Sequence, residues 1–444
     1  MMTRLLLCTV LAATTSSLAG GPAFGQSLTP PKHFSAPGEF EPQEYIWLSW
    51  VEQGWLGGAP FSGVTLDVMR AITPHVRVRL MYSAFTAEDA SMFREPFIRS
   101  PAAAEDILRK RLESEGVDLS RVDLFYYPHP VGAIQDPGPY FLRSTDGHLA
   151  LADYGFDHPD PRMEAMDREI AARLGLPTVR SPIASEGGAR QVNGRGTLIL
   201  VESVEFARNP GKSRDEIERE HRRVHGATNV IWLKRGPADE EWGKLRDGRW
   251  GIGTGGHVDV FARFADARTI LLAQVGEDEK DSSPILRETY DRMEENYRIL
   301  SAATDESGRP FRILRVPVPD TMTATTSYDA LSTEERWWFE GAKPGDAIEF
   351  YLPGGYLNFI IANGVVVTAR FWREGMPDSQ RTKDRQALKV LEHAFPDREI
   401  VQIDVMPLLH EGGGLHCYSR NQPFASSTER PWLPDVSGRV PLRK

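Results

Sequence analysis

Short apolar or β-branched runs alternate with single stretches of helical period along nearly the whole chain, and no other feature constrains the fold as much. The run at 45–50 (Tyr-Ile-Trp-Leu-Ser-Trp) reads as a first strand. At 76–81, Val76, Val78 and Leu80 alternate with Arg77 and Arg79, the period of a half-buried strand. Further strand-like runs occupy 197–201, 269–274 and 311–316. Two more, at 359–362 and 365–369, flank Asn363-Gly364, a dipeptide that marks a hairpin because both residues tolerate positive φ. Between them, Met163, Met166, Ile170 and Leu174 recur at helical spacing, as do Ala387, Leu388, Leu391, Ala394 and Phe395. Ser213 and Glu216 form a capping box that opens a helix over 217–224, and Pro284 opens another reaching Leu300. Strand groups interrupted by single helices predict a mixed α/β chain. Residues 236–256, rich in charge, Gly and Trp, read as a surface loop leading into a site.

The N-terminal residues carry a different signal. Arg4 precedes the apolar run from Leu5 to Ala12, and small residues end in Ala23-Phe24-Gly25 before Gln26. That is the pattern of a secretory signal peptide over 1–25, cleaved near Gly25, followed by a polar leader over 26–37. The run is too short to span a bilayer, so the mature form is expected to be exported, with no membrane segment. Export removes Cys8, one of two cysteines, and leaves Cys417 without an intrachain partner: a free thiol or an intermolecular bridge. The net charge of -10 argues against a nucleic-acid partner and suits a small cation.

Four segments set an ionisable residue among glycines. Gln135-Asp136-Pro137-Gly138-Pro139 fixes one carboxylate in a rigid turn. Glu186-Gly187-Gly188 places a carboxylate on backbone that a ligand can approach closely. In Gly255-Gly256-His257-Val258-Asp259, an extended strand would turn His257 and Asp259 to one side. Finally, Glu411-Gly412-Gly413-Gly414-Leu415-His416-Cys417 leads three glycines to the lone cysteine, as a nucleophile reachable by substrate requires. A catalytic thiol needs an acid–base partner, and His257 is the candidate. His416, the neighbour of Cys417, would face away from it on a strand and is the weaker choice. The compact spacings of metal sites, C-x-x-C and H-E-x-x-H, are absent, as are phosphate-loop and dinucleotide fingerprints, so no metal and no cofactor is expected.

Taken in order, these segments resemble the agmatine deiminase and bacterial peptidylarginine deiminase family of the guanidino-modifying superfamily. Phe40-Glu41-Pro42-Gln43-Glu44, Asn193-Gly194-Arg195-Gly196-Thr197, Ile231-Trp232-Leu233, Tyr356-Leu357-Asn358-Phe359 and Asn421-Gln422-Pro423 extend the likeness over most of the chain. The resemblance implies a pentein: five β-β-α-β modules about a pseudo-fivefold axis, forming one catalytic domain over 38–430 with a tail over 431–444. It implies Cys417 as nucleophile, His257 as general acid and then base, Asp136 and Asp259 as guanidinium ligands, and Glu186 as a positioning carboxylate. Asn358 and Trp50 join Asp136 and Asp259 as substrate-binding residues. The implied reaction converts agmatine and water to N-carbamoylputrescine and ammonia, toward putrescine and the polyamines, without metal or cofactor; a homodimer would be in keeping. The alternatives are citrulline formation on peptidyl-arginine, a guanidinium-binding protein without turnover, and, more distantly, an amidino transferase. One departure stands out. The family has Trp and Arg close before the first Asp, where this chain has Ala133-Ile134-Gln135.

Overall fold

The computed structural model describes residues 34–52, 54–84, 100–128, 131–156 and 161–426. The expected signal peptide at 1–25, the expected leader as far as residue 33 and the expected tail at 431–444 lie outside the described residues.

One wiring recurs five times among these residues: two antiparallel strands, a helical crossover, and a third strand parallel to the second. A parallel return needs such a crossover, which is why each helical stretch in the sequence sits between strand runs. Tyr140–Ser144 and Leu149–Gly155 pair antiparallel, and Thr178–Ala184 returns after the helix Met166–Leu174. Gln191–Val192 and Thr197–Val201 are followed by Arg214–His225 and the parallel strand Asn229–Leu233. Ala262–Phe264 and Thr269–Gln274 precede Pro284–Ala302 and Arg312–Pro317. Ile360–Ile361 and Val365–Arg370 precede Asp378–Ala394 and Glu399–Asp404. The remaining module joins the two ends of the chain. Ser419–Pro423 runs antiparallel to Gln43–Ser49, which is parallel to Arg77–Tyr82 across the helix Ser62–Ile72. This pairing closes the set of modules expected of a pentein, and Val122–Tyr126 adds one further parallel strand.

Burial follows that arrangement. Every residue of Thr197–Val201 is buried, as a strand covered on both faces must be. Tyr45, Trp47, Ile134, Phe141 and Leu151 form an apolar contact between the end-joining module and the next. Leu142, Ala152, Leu198 and Trp232 do the same for the following pair, and one continuous cluster links the rest.

Four expectations change. Residues 236–256 are not a loop: Trp242–Lys244 and Trp250–Ile252 form a hairpin, which joins Ala347–Tyr351 and Thr323–Ser327 in a sheet outside the five modules. The Asn363-Gly364 hairpin forms, with Ile361 opposite Val366, but neither residue has positive φ. Glycine is needed there because a Cβ would run into the His75 ring. The periodic stretch from Met163 to Leu174 is two helices, Pro161–Glu164 and Met166–Leu174, broken at Ala165. Lastly, Phe34–Ser35, assigned to the leader, pairs antiparallel with Arg143 and Ser144, so the chain enters the fold before residue 38. No helix among the described residues is long and apolar enough to cross a membrane.

Candidate active site

Loops from all five modules converge on one cluster of Asp136, Glu186, His257, Asp259, Asn358 and Cys417, buried except for the half-buried Asp136. Asp136 lies in the turn closed by Gly138 N–H on Ile134 O at 2.9 Å. Ile134 is fully buried in the core, and Gln135 donates its backbone N–H to Cys417 O at 2.8 Å. With its amide oriented to satisfy both ends, Gln135 also donates to Ser419 O and accepts from Arg420. Ile134 and Gln135 therefore anchor the Asp136 turn to the Cys417 segment.

Glu186 follows the strand Thr178–Ala184 and opens the short 3-10 turn Gly187–Ala189. That turn brings Gly188 N–H to Asp136 Oδ1 at 3.0 Å. A Cβ on Gly188 would lie 2.8 Å from His257 Nδ1, 3.0 Å from Asp259 Oδ2 and 3.1 Å from Asp136 Oδ1. Glycine is thus the only residue that lets these three groups meet. Arg208, ending the helix Glu202–Arg208, pairs with Glu186 Oε1.

His257 and Asp259 are not on a strand. His257 is the N-cap of the single-turn helix Val258–Phe261, and Asp259 is its second residue. Both nevertheless face the cluster. His257 Nδ1 is 3.6 Å from Asp136 Oδ1, and Nε2 is 3.7 Å from Glu186 Oε2. Neither ring nitrogen has a hydrogen-bond partner among the described residues, nor does Asp259 Oδ1. Buried polar atoms are nearly always paired, so this set of orphans marks a place for a polar ligand. Cys417 is likewise in a turn, ahead of the strand Ser419–Pro423, and is 4% exposed.

The Asn358 amide is engaged within the protein at both its nitrogen and its oxygen. Its Nδ2 donates to Asp259 Oδ2 at 3.1 Å and to Cys417 Sγ at 3.4 Å. Its Oδ1 accepts from His416 N at 2.9 Å and Cys417 N at 3.3 Å. Trp50 gives its indole N–H to Glu52 and packs on the main core; among the described residues no hydrogen bond ties it to the cluster. Tyr356 bonds Asp384, and Arg190 stacks over Tyr140 and Tyr154, so both serve the scaffold. Sequence reasoning missed the role of His416 and missed Glu39 altogether. His416 Nδ1 meets Asp259 Oδ2 at 2.7 Å and its Nε2 meets Glu39 Oε1 at 2.9 Å, with Arg263 on the far side of Glu39. This chain fixes Asp259 from behind. Among the described residues no group of three or more His, Cys, Asp or Glu is arranged to hold a metal ion.

The electrostatics are those of carboxylates gathered around one imidazole and one thiol. Burial, reinforced by Glu186 and Asp259 and opposed by His257, raises the pKa of Asp136. Burial alone would lower the imidazole of His257, but Asp136, then Glu186 and Asp259, hold it up at about 9. Burial would raise Glu186, yet His257 and Arg208 bring it down to about 2. The Cys417 thiol is pushed well up, by burial first and then by Asp259 and Asp136.

These shifts fix a stability profile. His257 titrates above its unfolded value of 6.5, so its contribution is complete below pH 6.5 and is lost as pH rises through about 9. Glu186 acts at the other end: its contribution is present above its unfolded value of 4.5 and is lost as pH falls through about 2. In urea titrations the wild type is expected to weaken from neutral to alkaline pH, and His257→Gln to weaken less. Equal alkaline losses in the two proteins would contradict a protonated, carboxylate-held His257.

Comparison with known proteins places this geometry. The family model of Porphyromonas-type peptidyl-arginine deiminase matches residues 35–423. An agmatine deiminase from Pseudomonas aeruginosa (strain LESB58) is 28% identical over 410 residues, covering 88% of this chain and 95% of that protein. Among solved structures, an agmatine deiminase of Enterococcus faecalis aligns with TM-score 0.68 at 22% identity, covering 88% of this chain and 96% of the other. A C. jejuni agmatine deiminase aligns with TM-score 0.60 at 18% identity over the same shares. At these identities the two structures speak to the fold.

Proposed function

This chain belongs to the Porphyromonas-type peptidyl-arginine deiminase family, and we propose that it is a guanidine iminohydrolase that converts agmatine and water to N-carbamoylputrescine and ammonia. The observation that carries this reading is the meeting of Asp136, His257 and Asp259 around Gly188, with Cys417 held beside them by Asn358. The 28% identity with an agmatine deiminase along most of both chains supports it.

A guanidinium is planar, permanently charged and rich in N–H donors, so two carboxylates on either side are its natural ligands. Asp136 and Asp259 fill that role, and Asp259 is fixed for it by His416 and Asn358. The cation neutralises the two carboxylates that push the Cys417 thiol up, which favours its thiolate as substrate arrives. The thiol gives up its proton to water, and the thiolate attacks the guanidinium carbon and forms an S–C bond. His257, protonated at neutral pH, gives its proton to the departing nitrogen; the C–N bond breaks and ammonia leaves. Now neutral, His257 takes a proton from water, whose oxygen bonds to the same carbon. The S–C bond then breaks, releasing the ureido product and restoring the thiol. Glu186, clamped by Arg208, holds the imidazole in place throughout.

A slender substrate suits the enclosed site, since Cys417, His257, Asp259 and Glu186 are all buried. Citrulline formation on peptidyl-arginine is the second reading, supported by the family itself. Residues 1–25 carry the pattern of an export signal, and the enzyme we propose meets its substrate outside the cytoplasm. Offered agmatine, free arginine and an arginine-containing peptide, the mature protein is expected to release ammonia and ureido product from agmatine. Citrulline from the peptide alone would move the assignment to the second reading. No release from any of them, by reduced and folded protein, would sink both.

A further inference from the structure

One buried carboxyl beside this cluster has no part in the mechanism above. Glu240 ends the short 3-10 turn Ala238–Glu240, just before the hairpin at 242–252 that stands outside the five modules. Its backbone is locked against the segment leading to His257: Gly255 N–H donates to Glu240 O at 2.8 Å. Gly253 packs so closely that a Cβ there would lie 2.5 Å from Glu240 O. The side chain is 3% exposed, and its Oε2 has no hydrogen-bond partner among the described residues. It lies within electrostatic reach of Asp259, His257 and Cys417.

Four carboxyls therefore bear on one site, and their partners differ. Glu186 has Arg208, Asp136 has His257 and the Gly188 amide, and Asp259 has His416 and Asn358. Around Glu240 stand the Thr254 amide, two further acids, Asp239 and Asp259, and the more weakly felt His257; Arg292 acts on Asp239. A single guanidinium shared by Asp136 and Asp259 leaves the free Glu240 oxygen unanswered. We propose that Glu240 is a specificity-determining residue of this site, its carboxylate taking the second positive charge of a dicationic guanidino substrate, an alkylguanidine with a terminal primary ammonium. This rests on the reading of the pocket as a guanidine site, and it deepens that reading by choosing between its substrates. Burial pushes the Glu240 carboxyl up. A terminal ammonium can pair with that carboxylate, whereas the neutral backbone amides flanking an arginine inside a peptide cannot.

The test uses agmatine and butylguanidine, which has the same chain without the amine, binding to the Cys417→Ser protein by titration calorimetry. Agmatine is expected to bind at least about 30-fold more tightly, the lower end of what one partner of a buried charge pair contributes. Adding Glu240→Gln should erase that gap by weakening agmatine alone, and Glu240→Asp should restore part of it. The proposal is overturned if the gap is absent at the outset, if it survives in the Gln variant, or if both ligands weaken together, as a purely structural role predicts. Failure of the deiminase reading shows separately, as wild-type protein that binds agmatine yet releases no ammonia from it.

Discussion

Replacing Cys417 by serine is expected to lower ammonia release by about 10⁴-fold or more, the scale on which enzymes lose activity with their nucleophile. The central carbon of a guanidinium is a poor electrophile because its charge is delocalised over three nitrogens, so the attacking atom must be both nucleophilic and ionised. Burial and then the two carboxylates hold the thiol up, and a substrate cation that offsets Asp136 and Asp259 favours its thiolate; a serine hydroxyl, a far weaker acid, gains no comparable nucleophile. The fold should survive the change. Asn358 holds this turn through the backbone N–H groups of His416 and Cys417 as well as through Sγ, and those two bonds remain. Steady-state rates with agmatine, beside thermal unfolding of both proteins, check this directly. A serine variant that keeps a tenth of the activity would remove Cys417 from the chemistry.

Gly188→Ala should do nearly as much harm without touching an ionisable group. The added methyl would stand 2.8 Å from the His257 ring and about 3 Å from two carboxylate oxygens, inside the volume where these groups come together. Gly188 also carries the amide that orients Asp136, and its turn is fixed on one side by Glu186. Displacing any one of these by about 1 Å costs on the order of 10²-fold in rate, and here three move together. The expected loss is therefore about 10²-fold or more in kcat/KM, with guanidinium binding weakened as well. Activity within a few-fold of wild type would mean that substrate does not occupy the space in front of Gly188.

Much of this was legible in the sequence, for identifiable reasons. Thr197–Val201 and Thr269–Gln274 fall where their apolar runs place them, because strands buried on both faces carry an unbroken signal. The Ser213–Glu216 capping box is formed as read, with both reciprocal bonds present. Short or half-exposed elements were not legible. The helix Val258–Phe261 has four residues, too few to show a period, so His257 and Asp259 read as an extended pair. The hairpin at 242–252 exposes Trp242 and buries Trp250, and its turn is polar, so it read as a loop. Within the site, Cys417, Asp136, Glu186 and His257 stood out in the sequence by their neighbouring glycines. Their supports did not. Glu39 meets His416 across 377 positions of sequence, and nothing local to either residue points to the other. Asn358 was found, but its use could be told only from the four groups around its amide.

The covalent intermediate is the claim on which the rest depends. Wild-type enzyme quenched in acid during turnover of agmatine, digested and analysed by mass spectrometry, tests it most directly. The mechanism predicts a peptide containing Cys417 that is heavier by one substrate molecule less one ammonia, absent from Cys417→Ser and lost as substrate is exhausted. Steady turnover with Cys417 unmodified at every quench time, under conditions that trap a synthetic amidino-thioether, would mean that water attacks the guanidinium without the thiol.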